Sequence, residues 1–359
     1  MPEVVLSLIM GRIMTAGFKN ILIIKPSSLG DIVLALPALS ALRRSFPDAK
    51  ISWLIRPEFA PLVKNHPYLT EVVLFDRRFL GKALFNPRAF ICLMALVRRL
   101  RESKFDAVID LQGLFRTACL AWLSGCRRRF GMTTAREFAT VFYTDKVHRG
   151  ADSIHVVDYY QKVIAFAGAT ALDVEFNLPV SDQAVHRAAS LLSGQGIDPN
   201  SYVVFVPGSV HKSKCWPGEN FASLAKKITS QFGFSVITVG TKSDKAITER
   251  IVWGTNGQVT DFAGLTGLPE LAVLLKNARI VVSNDTGPGH IAAALGVRLV
   301  MIFGPSNPIR LFPYRRPGTL AAVDPFGRGL KLQSSDPAHA IEAVTVEMVY
   351  QRVTEQLSS

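Results

Sequence analysis

Short apolar runs, each followed by a longer amphipathic stretch, recur along the whole 359-residue chain and restrict it to a layered α/β architecture. In the first half they fall at 21–24, 51–55, 72–75 and 107–111, and in the second at 203–206, 235–239, 280–283 and 299–303. Runs that are apolar at every position predict strands of a parallel sheet covered on both faces. The intervening stretches predict helices near 32–45, 58–65, 88–102 and 115–123, then near 220–231, 245–253, 269–276 and 290–295. The alternation pauses around 169–182 and restarts, so two doubly wound domains are expected. Residues 338–356 have the apolar spacing of a terminal helix. At about 150 residues per domain the length agrees.

A 48% hydrophobic composition excludes a disordered or fibrous chain. Cys92, Cys119, Cys126 and Cys215 form no C-x-x-C pair and no cluster with histidine. Neither a disulfide framework nor a zinc site is expected, and a reducing compartment is the simpler setting. The apolar run 4–10 has no basic segment before it and no small-residue cleavage site after it, so no secretory signal is read. Arg98, Arg99 and Arg101 interrupt the best candidate span, 90–100, and a soluble or surface-bound protein is expected.

The net charge is +13, and residues 77–136 hold most of it, with thirteen Lys or Arg against Glu102, Asp106 and Asp110. Such a run is either a set of solvated helix faces or a surface for an anionic partner. An anionic membrane attracts it by roughly 1 kcal/mol per nearby Lys or Arg, and nucleic acid would attract it too.

Open α/β sheets bind ligands beyond the carboxyl ends of their strands, so the loops there carry the chemistry. The first is Lys25-Pro-Ser27-Ser28-Leu-Gly30-Asp31 after the first strand. Asp31 is readable as the cap of a helix beginning at Ile32 or as a general base. The second is Pro207-Gly-Ser209-Val210-His-Lys-Ser-Lys214-Cys-Trp216-Pro217, rich in hydroxyl and ammonium donors. It is either a mobile basic loop or an anion site with Lys214 positioned by the packing of Trp216 and Pro217. The third is Asn284-Asp285-Thr286-Gly287-Pro-Gly289-His290, leading into an apolar helix. Asp285 or Thr286 is an ordinary N-cap there, or the free N–H groups of the helix start receive a phosphate. His290 is equally a neutral donor to that phosphate or a helix-start residue.

Gly287-x-Gly289-x-x-Ala292 formally matches the dinucleotide fingerprint, which raises an NAD-dependent oxidoreductase. The fingerprint also requires an acid about 20 residues on at the end of the next strand, and that strand ends Ile302-Phe303-Gly304-Pro305. There is no P-loop, no H-E-x-x-H, no G-x-S-x-G and no D-x-D pair, so metal-centred catalysis loses support.

Together, Lys25-x-Ser27-Ser28-Leu29-Gly30-Asp31, Lys214-x-Trp216-Pro217 and Asp285-Thr286-Gly287-x-x-His290 resemble the lipopolysaccharide heptosyltransferases of glycosyltransferase family 9. Asp110-Leu-Gln112-Gly113-Leu114, and Thr134-Ala-Arg136-Glu137 with Phe142-Tyr143, are similar to the heptosyltransferase I branch. The match spans nearly the whole chain. It implies an α/β GT-B fold, two Rossmann-like domains facing across a cleft. Residues 1–175 would be the acceptor-binding domain and 176–337 the nucleotide-sugar domain, with the helix of 338–359 open to packing back on the first.

The resemblance further implies heptose transfer from ADP-heptose to the Kdo region of the lipid A core, inverting and with no obligatory metal or other cofactor. Asp31 becomes the base, with Lys214 also catalytic. Ser209 and Lys214 contact the phosphates, Asp285, Thr286, Gly287 and His290 line the donor site, Thr266 lies near the adenine, and Asp244 holds the ribose. Lys25, Ser28, Arg77, Arg78, Gln112, Arg116 and Arg136 would engage the acceptor. Asp244 stands where Glu is usual and Val210 where a hydroxyl residue is usual, departures that bear on donor affinity. The chain also runs 18 to 20 residues ahead of the first strand, with Met14 as a second candidate start. Expected partners are the nucleotide sugar, the lipid A core acceptor and an anionic membrane surface, with no nucleic acid. The expected location is cytoplasmic, on the inner face of the inner membrane. A family relative using another ADP-sugar or core acceptor is the near alternative, and a nucleic-acid-binding protein or an oxidoreductase the distant ones.

Overall fold

A computed structural model describes residues 17–358, so the apolar run 4–10 and Met14 lie outside the described residues. The chain divides into two compact units between Pro179 and Val180. The first unit carries six parallel strands, β1 (Asn20–Ile24), β2 (Lys50–Ile55), β3 (Glu71–Leu74), β4 (Ala107–Asp110), β5 (Arg129–Met132) and β6 (Asp145–Val147), in the order β3-β2-β1-β4-β5-β6. Ile21 to Ile24 of β1 are at most 1% exposed, which requires a paired strand on each edge and a layer on each face. β2 and β4 supply the edges, Ile21 lying opposite Ile51 and Ala107. Strand order reverses between β1 and β4, and the loops after these strands form the crevice of this sheet.

The second unit repeats the plan with β7 (Tyr202–Val206), β8 (Ser235–Thr238), β9 (Val259–Asp261), β10 (Ile280–Asn284), β11 (Leu299–Ile302) and β12 (Leu320–Ala321), in the order β12-β11-β10-β7-β8-β9. Its reversal falls between β7 and β10. Each unit is therefore Rossmann-like, the pair of folds that makes up the GT-B architecture. The closing helix is Val346–Ser358, shorter than the expected 338–356 because 337–339 and 341–343 form separate 3₁₀ turns. Val349 and Val353 bury their side chains in the core of the second unit, among Phe221, Leu224 and Ile302. Its apolar face is thus used within the second unit.

The strands without an apolar signature are β5, β6, β9 and β12, at or next to sheet edges. An edge strand is covered on fewer sides and tolerates Asp145, Lys146 and Asp261, so no apolar run marks it. The helix expected over 32–45 is two helices, Leu29–Leu34 and Leu36–Ser45, divided at Ala35 because Pro37 supplies no N–H to continue the first. Helices Val156–Phe166 and Asp182–Ser193, which flank the linker, carried no clear sequence prediction.

Candidate functional site

In the first unit, the chain leaves β1 at Lys25, whose carbonyl accepts the indole N–H of buried Trp53 at 3.1 Å. Ser28 is the N-cap of helix Leu29–Leu34 and Asp31 is its third residue, so the helix starts earlier than the sequence suggested and Asp31 is not the N-cap. The Asp31 carboxylate instead reaches back, its Oδ2 accepting the Ser28 N–H at 3.1 Å and the Ser28 hydroxyl at 2.8 Å. Capping and chemistry need not compete here, because the Asp31 side chain remains 32% exposed while its orientation is held.

Lys25 Nζ sits 3.8 Å from the same Oδ2 and 5.6 Å from the centre of the Tyr160 ring. Burial by itself would lower the pKa of this ammonium, but the charge of Asp31, the Tyr160 hydroxyl and the charge of Asp110 outweigh it and leave the pKa raised. Lys25 is 4% exposed and its ammonium is favoured by the carboxylate of Asp31 beside it, so it is not an exposed edge charge.

The neighbouring loop after β4 is built on Asp110. This fully buried carboxylate accepts Gln112 N–H at 2.8 Å and Gly113 N–H at 3.1 Å on Oδ1, and the Tyr143 hydroxyl at 2.8 Å on Oδ2. Burial pushes its pKa up, against the opposing pull of these donors. The Tyr143 ring crosses β5 so closely that a Cβ on Gly131 would fall 2.3 Å from it. Two motifs 33 residues apart are thus one packed corner, and it aims the Gln112 side chain at Ser27 N–H, 3.3 Å away.

A small pocket opens at this end of the sheet, lined by Pro26, Ser27, Arg56, Phe75, Arg77, Gln112, Leu114, Arg116 and Thr117. Three arginines line this concavity, Arg56 being ion-paired with Glu58, and guanidinium groups suit a carboxylate or phosphate. Arg77, Arg116 and Gln112 are among the expected acceptor residues. Arg56 is not, although it follows β2 directly and so occupies the strand-end position from which ligand groups come. Arg78 and Arg136 are exposed and do not line this pocket, and Ser28 is committed to its helix cap.

In the second unit, buried Asn284 at the end of β10 ties two loops together. Its side chain donates to the Pro207 carbonyl at 2.7 Å and accepts the Trp216 backbone N–H at 3.2 Å. Trp216 is wholly buried, packs edge-on against Phe221 at 5.0 Å and donates its indole N–H to the Val344 carbonyl at 2.7 Å. The loop bearing Lys214 is thus anchored on both sides, which accounts for the fixed ion pair of Lys214 Nζ with Asp285 Oδ2 at 2.6 Å. His290 Nε2 lies 3.7 Å from the other Asp285 oxygen, and its buried Nδ1 has no hydrogen-bond partner among the described residues. Burial would raise the Asp285 pKa, but the His290 ring and the Lys214 ammonium prevail and hold it well below the usual carboxylate range.

Thr286 occupies the N-cap position of helix Gly287–Ala294, yet its side chain makes no capping bond, which leaves the helix start without that side-chain acceptor. Gly289 serves packing, because a Cβ there would lie 2.5 Å from Met301 and 2.7 Å from Ser283. Ser209 is half-buried at the mouth of the loop after β7. Asp244 accepts Thr241 N–H and hydroxyl, each at 2.7 Å, and stands so near Gly208 that a Cβ there would be 2.4 Å from the carboxyl carbon. Thr266 lies farther along the sheet edge in the loop after β9, between Leu265 and Gly267, which line a separate cavity of about 430 Å³. The Asp285–His290 turn, the Ser209–Lys214 loop, Asp244 and the Thr266 loop therefore follow the strand order β10, β7, β8, β9, about 4.8 Å per step.

The profile described as glycosyltransferase family 9 (heptosyltransferase) matches residues 93–336. Lipopolysaccharide heptosyltransferase 1 of Pseudomonas aeruginosa is 31% identical over 294 residues, 80% of this chain and 79% of that protein. Its namesake in Escherichia coli K12 is 28% identical over 304 residues, 80% of this chain and 89% of that one. Among solved structures, the E. coli heptosyltransferase WaaC with ADP superposes with a TM-score of 0.72 at 27% identity, covering 94% of this chain and 99% of that chain. A family 9 glycosyl transferase from Veillonella parvula reaches 0.81 at 23% identity, covering 95% and 97%, a likeness of fold. With both sheets wound alike and the profile spanning more than half of its length, the chain belongs to glycosyltransferase family 9, the heptosyltransferase family.

Proposed function

We propose that this glycosyltransferase moves heptose from ADP-heptose to the Kdo region of the lipid A core, with inversion at the anomeric carbon. The observation that carries the reading is the buried Lys214–Asp285 pair beside a helix start that has no side-chain cap, in a chain of this family. The second unit would hold the donor, its phosphates at Lys214, Ser209 and the turn of Thr286, Gly287 and His290, with Asp244 at the ribose and Thr266 towards the base. The first unit would hold the acceptor, its anionic groups at Lys25, Arg56, Arg77, Gln112 and Arg116.

In the transfer, the acceptor oxygen attacks the anomeric carbon and its proton passes to Asp31. The bond from that carbon to the β-phosphate oxygen breaks, and ADP leaves with the electron pair. A positioned base contributes about 10²–10⁴-fold. A donor already aimed at the departing phosphate contributes on a similar scale, since removal of one such group costs about 3–4 kcal/mol in a well-studied hydrolase. We assign that stabilisation to Lys214 and the backbone N–H groups of the turn, so turnover should persist in the presence of a chelator.

We further propose action at the cytoplasmic face of the inner membrane, the basic stretch 77–136 drawing the protein to anionic lipid. Among the described residues, no helix is long and apolar enough to cross a membrane. The test is mass-spectrometric detection of the heptosylated product from the protein, ADP-heptose and Kdo-lipid A. Product with another ADP-sugar and none with ADP-heptose would replace this donor assignment.

A further inference from the structure

Helix Pro87–Glu102 of the first unit is apolar on two faces, and only one of them is needed by the fold. Ala89, Leu96, Val97 and Leu100 are buried on the sheet side. On the outer side Phe90 is 50%, Ile91 65% and Met94 42% exposed, at the i, i+1, i+4 spacing of a single stripe. The loop leading into the helix adds Leu84 and Phe85, 89% and 91% exposed. This segment is fixed rather than loose: Asn86 caps the helix by accepting Ala89 N–H at 3.1 Å, and Pro87 opens its first turn. Contiguous exposed apolar side chains held in place on a soluble surface mark an interaction site.

The charge around the patch selects the partner. Residues 81–102 contain five Lys or Arg and one acid, Glu102, which pairs with Arg98 at 2.7 Å. Lys82 and Arg88 flank the loop and the helix start, and Arg98 and Arg101 continue beyond Met94. A second copy of this surface would bring cation against cation, which disfavours pairing through it. An anionic lipid surface satisfies both features, because headgroups receive the cations while the acyl boundary receives the stripe between them.

We propose that Leu84, Phe85 and the outer stripe of Phe90, Ile91 and Met94 insert into the headgroup–acyl boundary of an anionic bilayer, making attachment partly hydrophobic. This rests on the membrane reading above and adds the inserting element. The test uses the full chain with vesicles of phosphatidylcholine and phosphatidylglycerol, at low and high salt. Cationic attraction alone is screened by salt, whereas insertion is not. Wild type should therefore retain measurable partitioning at high salt, and Phe85→Ser with Ile91→Ser should lose about a hundredfold, about tenfold for each side chain no longer buried. A Phe85→Trp chain should show blue-shifted emission on vesicles, quenched by brominated acyl chains.

Unchanged partitioning of the double variant overturns the proposal, as does complete release of wild type at high salt. So does light scattering that finds a wild-type dimer and a monomeric variant with equal vesicle binding. Turnover on a water-soluble acceptor without acyl chains reports the transfer reaction separately. If the double variant keeps that turnover it is folded, and if wild type lacks it the transferase reading falls while the vesicle result stands on its own.

Discussion

Asp285 places one carboxylate oxygen 2.6 Å from Lys214 Nζ and the other 3.7 Å from His290 Nε2, so a single buried acid faces one side chain from the loop after β7 and one from helix Gly287–Ala294. Lys214 reaches it because Asn284, one residue earlier, fastens the loop after β7 to the end of β10, and His290 because its helix starts two residues after Asp285. Lys214→Met is expected to lower kcat about 10²–10³-fold, the usual effect of losing one donor to developing charge. Lys214→Arg should not restore it, since a planar guanidinium does not replace a compact ammonium at a short contact. Steady-state kinetics with donor and acceptor varied in turn checks both.

The same pair has a pH signature. Asp285 is held well below the usual carboxylate range, so its stabilising contribution is present above the ordinary aspartate pKa of about 3.9 and is lost as pH falls through the depressed value. Unfolding free energies of wild type and Asp285→Asn should differ at neutral pH and converge in strong acid. Parallel curves throughout would show that the pair contributes nothing to the fold.

Asp31→Asn should keep donor affinity and lose about 10²–10⁴-fold in turnover, because the amide preserves an acceptor for the Ser28 N–H but takes no proton. ADP binding by calorimetry, set beside product formation, separates the two. Near-normal turnover in this variant would refute Asp31 as the base.

Arg56→Ala tests a residue that sequence patterns did not single out. With one of three pocket-lining arginines removed, acceptor KM should rise about tenfold while donor KM stays put, as expected for loss of one charge-assisted contact. An equal rise in both would place Arg56 elsewhere in the cycle.

Tyr143→Phe removes the donor to Asp110 Oδ2 and should destabilise the protein by about 1–3 kcal/mol in denaturant titrations. Since burial raises the Asp110 pKa, the contribution of this carboxyl is most favourable at low pH and declines as pH rises through the raised value. Asp110→Asn, which can still accept the Gln112 and Gly113 N–H groups, should flatten that decline.

The two sheets and their strand-end loops were legible in the chain because central parallel strands carry continuous apolar runs, as residues 21–24 of β1, 202–206 of β7 and 280–282 of β10 do. The motifs at Lys25–Asp31, Lys214–Pro217 and Asp285–His290 were legible because the strand-to-helix turns that carry ligand chemistry use a short, recognisable set of residues. The edge strands β6, β9 and β12 were not, since a strand covered on fewer sides has no obligatory pattern.

What the amino-acid order determined alone was which segments become buried strands and which loops follow them, both local consequences of side-chain polarity. Tertiary structure decided which loops become neighbours, for strand order is a long-range matter that no window of sequence contains. Only the folded sheet shows Arg56 beside Arg77 and Arg116, Tyr143 bonded to Asp110 from 33 residues away, and Asp31 as the third residue of its helix. It also shows that the outer stripe of helix Pro87–Glu102 is left exposed by the described residues, because burial depends on what else packs against a helix and not on the helix alone.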